Sequence, residues 1–188
     1  MSITILPAVE PTEMQRFIVA KSNQFILHSR YDLSLMEQRI LACMISMVDS
    51  RGSDLQDCEL DIDTFCTLCK IEKRGSARYL KEVTKGLRDQ SFWMETEEGV
   101  YETFSWVEKI SINEKKGKIT LRFSNDMKPF LLNLQSDFTS YKLPMVLRFS
   151  SRYTNIVFDL IYSKFGQNGR KSGSLEILVD EMKERVQI

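Results

Sequence analysis

Asp61 to Gln90 reads DIDTFCTLCKIEKRGSARYLKEVTKGLRDQ, two helical patterns parted by a short break. Asp61 or Asp63 can cap the first, about two turns ending near Lys70, and the alternation of Leu60 and Ile62 with acids suits a short strand before it. Glu72 to Gly75 (EKRG) breaks the pattern. Ser76 can then cap a second helix, Ala77 to Gln90, whose apolar residues Ala77, Leu80, Val83 and Leu87 recur at spacings of three and four. The spacing predicts helix, turn, helix.

The second of these helices carries the strongest chemical signal. At about 100° per residue, Arg78, Lys81, Lys85 and Arg88 share a face roughly 130° around from the mean direction of Leu80, Val83 and Leu87. From Lys70 to Arg88, the bases Lys70, Lys73, Arg74, Arg78, Lys81, Lys85 and Arg88 stand against only Glu72 and Glu82. A phosphate backbone requires such a local excess. The competing reading is a solvated face, since a charged stripe opposite a core stripe is the rule and Lys and Arg are good helix formers.

Downstream, Phe92 to Glu95, Phe104 to Asn113 and Lys118 to Ser124 are rich in aromatic and β-branched residues, with Gly99 and Gly117 at the turns. They predict a strand and a longer hairpin, a wing beside the helix-turn-helix. Lys115, Lys116 and Lys118 surround Gly117 at the expected hairpin tip, as a second phosphate contact or simply a soluble turn. Upstream, Leu33 to Val48 has a wide apolar stripe, with Ser34 and Glu37 placed as a capping box. A polar loop, Asp49 to Asp57, follows it. Residues 1–20 have no clear period and read as a flexible arm that orders only on docking. Towards the C-terminus, Ser150 or Ser151 can cap an amphipathic helix, Arg152 to Phe165, stopped by Gly166, and a last helical pattern starts at Leu175.

Composition narrows the classes. The 188 residues carry 26 Lys+Arg and 26 Asp+Glu, a net charge of zero, with 43% hydrophobic residues, which suits one domain with a real core. A neutral chain does not coat nucleic acid indiscriminately, so any such site is a local patch. No run of about 18 apolar residues and no signal peptide are present, and a cytoplasmic location is expected. Motifs GxxxxGK, GxGxxG, GxSxG and HExxH are missing, so no enzymatic activity and no cofactor are expected. Cys66 and Cys69 form a CxxC, but a zinc site would need Cys58, Cys43 or the lone His28 as further ligands, and buried reduced thiols are the plainer reading.

Larger stretches resemble a known family. FIVAKSNQFILHSRYDLSLMEQRILACMISMV, Phe17 to Val48, is similar to the opening of the plasmid replication initiator (Rep) proteins that bind iterons. The shared features are Lys21, Ser22 and Asn23, the apolar pair Phe25 and Ile26, Tyr31, and Leu33, Ser34, Glu37, Gln38, Arg39 and Leu41. SSRYTNIVFDLIYSKF, Ser150 to Phe165, and SLEILVDEM from Ser174 resemble later family segments. The resemblance implies an α+β fold: a winged helix-turn-helix domain with extra helices and a β-hairpin wing. It also implies two tandem winged-helix domains in a complete initiator, with 21–188 as the first and the second absent from this chain.

What the resemblance implies for function is binding to double-stranded origin-repeat DNA, homodimerisation that switches an initiating monomer to a repressing dimer, and contact with host replication machinery. By position, the DNA-facing set is Arg74, Ser76, Arg78, Lys81, Lys85, Arg88, Lys116 and Lys118. A hairpin edge with Trp93, Phe104 and Trp106 is the expected dimer surface. The alternative is a protein-interaction and homodimerisation module without DNA binding of its own.

Overall fold

The structure, a computed structural model, describes residues 3–6 and 16–165, together with Lys183. The first strands are β1 (Ile3–Leu6) and β2 (Ile18–Ser22), so ordered structure begins before the arm expected over 1–20 ends. Ser22 turns the chain into α1 (Asn23–His28) by accepting from the Phe25 N–H, and β3 (Ser29–Arg30) follows. Then comes α2 (Leu35–Ile45), which starts on the expected capping box: Ser34 Oγ accepts from Glu37 N, and the Glu37 carboxylate accepts from Ser34 N at 2.7 Å. Its Ile40, Leu41, Cys43, Met44 and Ile45 are all buried, which makes it the central helix of the core.

The stretch from residue 57 to 90 folds as strand, helix, turn, helix. The strand is β4 (Asp57–Asp61), and Asp61 caps α3 (Ile62–Cys69) by accepting from Thr64 N at 2.8 Å. Lys70 ends α3 in the left-handed conformation, and Gly75, also left-handed at φ 77°, opens α4 (Ser76–Asp89). Gly75 is therefore the cap residue, and Ser76 is a buried first-turn residue rather than the expected side-chain cap. Leu80 and Leu87 are fully buried, each contributing roughly 1.5–3 kcal/mol of apolar burial.

Four strands follow: β5 (Ser91–Glu97), β6 (Val100–Ser105), β7 (Val107–Asn113) and β8 (Lys118–Phe123). The strand expected over Phe104 to Asn113 is thus two strands. They part at Trp106, which turns into the core next to buried Val107, and two successive inward side chains end the period-two alternation. Strand β5 pairs with β3 on one side and β6 on the other in an antiparallel sheet, whereas β7 belongs to the sheet ordered β1-β4-β8-β7, antiparallel except for the β1–β4 pair.

The chain closes with α5 (Lys128–Leu131), β9 (Phe138–Lys142), which pairs antiparallel with β2, then α6 (Leu143–Leu147) and α7 (Arg152–Phe165). The Gly166 stop and the pattern from Leu175 fall outside the described residues, Lys183 apart. Phe25, Tyr31, Phe92, Phe104, Trp106 and Phe130 form an aromatic cluster at the junction of α1, the β5–β6 hairpin and α5, with Phe92 and Trp106 centroids 4.5 Å apart. Three consecutive residues of α2 tie it to three other parts of the fold. Glu37 accepts from Gln90 Nε2 after α4, Gln38 Oε1 accepts from Asn155 Nδ2 on α7, and Arg39 donates to the Phe149 carbonyl.

Candidate nucleic-acid interface

Because α4 buries Leu80, Thr84 and Leu87, it turns Arg78, Lys81, Lys85 and Arg88 outward, and all four are exposed. Arg74 is exposed in the turn before it. The helix packs on β7, and the groove between them, about 460 Å³, is lined by Lys81, Lys85 and Arg88 on one side and by Glu108, Lys109 and Glu114 on the other, over Thr84, Ile110 and Ile112. Lys109 was outside the sequence-based set. Its signal is faint, because one Lys in an alternating strand looks like any solvent-facing residue until β7 is seen to flank α4.

The hairpin tip between β7 and β8 is fixed to the helix-turn-helix. Gly117 turns the chain at φ 62°, and its carbonyl accepts from Ile62 N, the first residue of α3, at 2.9 Å. Lys81 Nζ reaches Glu114 Oε1 at 3.9 Å, an exposed pair that links α4 to the tip but adds little stability. Lys115 and Lys116 stand exposed at the tip. Among the described residues, Arg74, Arg78, Lys85, Arg88, Lys109, Lys115 and Lys116 pair with no carboxylate, so their charge is available to an outside anion.

Against known proteins, a family model described as "Initiator Replication protein, WH1" matches residues 18–162. The chain belongs to that family. A curated "Replication initiation protein" of Escherichia coli is 22% identical over 176 residues, covering 90% of this chain and 54% of the relative. The WH1 chain thus spans about half the length of that curated relative. Among solved structures, the Pi initiator protein in complex with iteron DNA superposes with a TM-score of 0.72 at 20% identity, over 92% of this chain and 73% of that one. That likeness shows the winged-helix fold. A WH1 domain of a replication protein isolated from a multiple sclerosis patient overlaps 52% of this chain and 77% of its own, at 20% identity and a TM-score of 0.43.

Within the WH1 fold, four sequence-derived site residues sit differently from expectation. Ser76 is buried at the start of α4 and offers nothing to a ligand. Lys118 lies on β8 opposite Asp61, and its Nζ is 3.4 Å from Glu59 and 3.9 Å from Asp61, so its charge is spent inside the sheet. The tip position that remains is Lys116. Trp106, expected at a dimer surface, is 2% exposed in the aromatic cluster. Phe104 also faces that cluster, stacked on Phe92. Trp93 alone of the three is on the outside, 53% exposed, with Val100 and Tyr101 beside it on the same hairpin.

The cysteines occupy the core. Cys43, Cys58, Cys66 and Cys69 are all buried and unpaired, and no group of three or more His, Cys, Asp or Glu among the described residues is placed to hold a metal. Burial pushes the Cys58 and Cys69 thiols up to about 12 and Cys43 well above its ordinary value, opposite to what a redox pair or nucleophile needs. No helix among the described residues is long and apolar enough to cross a membrane.

Proposed function

We propose that this WH1 chain contacts the origin-repeat (iteron) DNA of a plasmid-type replicon, laying α4 along the duplex while the β7–β8 tip touches backbone beside it. The observation that carries this reading is the unpaired basic set, Arg74, Arg78, Lys85 and Arg88 on the helix-turn-helix, with Lys109 across the groove and Lys116 at the hairpin tip. Long flexible cations on an exposed face make phosphate contacts above all, which position a protein without reading sequence. The iteron complex of the Pi initiator, built on the same fold, supports it. The reading extends to action without catalysis, in the cytoplasm and alongside the host replication machinery, and membership of a replication-initiator family supports it.

A second copy is the other partner. Among the described residues the β5–β6 hairpin ends its sheet with β6 unpaired on its outer side; Val100 and Tyr101 are exposed on that strand, and Trp93 is exposed on the face of the neighbouring β5. An open strand edge bearing aromatic residues suits pairing with an identical edge.

A mobility shift on an iteron-bearing duplex tests the DNA reading. Replacing Arg78, Lys81, Lys85 and Arg88 together by Ala abolishes the shift at moderate salt if α4 faces the DNA. An unchanged shift removes α4 from the interface and leaves the self-association module.

A further inference from the structure

Helix α7 docks through polar as well as apolar side chains. Its buried stripe includes Asn155, Asp159 and Ser163, each less than a tenth exposed, with Leu160 as the one buried apolar residue among its described side chains. Ile156, Phe158 and Tyr162 flank that stripe, half-buried against the core, with Phe158 5.0 Å from the Tyr141 ring and 5.2 Å from that of Phe149, while Ile161 is 45% exposed. A surface helix normally buries apolar residues alone along its centre line.

The polar stripe is held by a row of side-chain bonds to three elements. Arg152 pairs with Asp32, Asn155 Nδ2 donates to Gln38 Oε1 on α2 at 2.8 Å, and Asp159 takes both the Lys21 ammonium from β2 and the Tyr141 hydroxyl from β9, the latter at 2.7 Å. Tyr31 and Arg39 also face this seam, lining the same cavity as Asp159. Asp159 raises both tyrosine hydroxyls further above their ordinary range, on top of the larger effect of burial.

The seam is also incompletely bonded. Among the described residues the buried side-chain atoms without a partner are Ser29 Oγ, Arg39 Nε, Trp106 Nε1 and Asn155 Oδ1. All four belong to residues lining the two small cavities around Asp159, of about 40 and 10 Å³. The larger has room for about two water molecules beside these polar atoms.

We propose that α7 is a releasable latch, docked on the rest of the domain through a seam centred on buried polar side chains and able to leave it as one unit while the remaining fold stays intact. The physical reason is what each state does for the charges. When an apolar stripe undocks, it loses its whole stabilisation to water, but Lys21 and Asp159 recover hydration when they part, so their mutual attraction holds the helix only weakly. α2 has no such escape, since its seam is Ile40, Leu41, Cys43, Met44 and Ile45.

Native-state hydrogen exchange on the full chain tests this. In the wild-type protein, the amides of Ile156 to Ser163 are expected to share one opening, with protection at least about 100-fold below that of α2 and β8. The triple variant K21M/Y141F/D159L, which makes the seam apolar, is expected to raise α7 protection by about tenfold or more, whereas D159L alone lowers it. Protection of α7 equal to that of α2 in the wild type overturns the latch. So does protection graded from the C-terminal end, which is fraying, or a fall in protection in a folded triple variant.

Discussion

Glu37 and Gly86 meet where α2 and α4 cross: a Cβ built on Gly86 stands 2.6 Å from Glu37 Oε1, closer than real Cβ contacts come. The carboxylate has little freedom to move aside, since it is buried and accepts from Ser34 N at 2.7 Å and from Gln90 Nε2 at 3.2 Å. The glycine therefore sets how closely the basic helix approaches the core.

Gly86→Ala is expected to destabilise the protein by about 1–2 kcal/mol, although Ala is intrinsically the better helix former by about 1 kcal/mol. Displacing Glu37 forfeits its half of the capping box, and adding Glu37→Ala removes the clash. Urea unfolding of the two single variants and the double variant is expected to show a double-mutant loss smaller than the sum of the singles.

The two tryptophans separate fold from surface. Trp106→Ala opens the aromatic cluster and is expected to cost about 3–5 kcal/mol. Trp93→Ala is expected to change stability by less than about 1 kcal/mol while weakening self-association in sedimentation.

At the hairpin tip, Lys116→Ala is expected to lower DNA affinity and reduce the magnitude of the salt slope by about one. Lys118→Ala, which frees Glu59 and Asp61 instead of uncovering a phosphate site, is expected to leave that slope unchanged. Titration of a labelled duplex at several salt concentrations distinguishes the two.

The thiols make stability fall in alkali. Unfolded cysteines ionise near 9.0, whereas Cys58 and Cys69 hold their protons up to about 12 in the folded chain. Below pH 9 they are protonated in both states and do not affect the pH dependence. As pH climbs from 9 towards 12 the unfolded chain alone loses protons, and folding is progressively disfavoured. Thermal melts across that range, with thiol labelling at pH 8 that proceeds only on unfolding, check this.

Local chemistry made much of the fold legible. Ser34 and Glu37 announced α2, Asp61 announced α3, and the spacing of Leu80 and Leu87 placed α4 with its basic face outward. Most of the differences arise from contacts far along the chain. Lys118 looks like a tip lysine until β4 brings Glu59 and Asp61 against it, and Trp106 looks like a strand residue until α1 supplies Phe25 for it to pack on. Ser76 carries a capping side chain, but the left-handed turn at Gly75 takes that role. Strand β9 and the β2 partner it needs lie more than a hundred residues apart, and neither has a pattern of its own.

The central claim, that α4 lies against a phosphate backbone, is tested most directly by the salt dependence of binding to an iteron-bearing duplex. For the wild-type chain, log K against log salt is expected to fall with a slope steeper by about 3 to 4 than for the Arg78, Lys81, Lys85 and Arg88 quadruple Ala variant, near 0.9 for each lost phosphate contact. Equal slopes for two folded proteins would contradict the account.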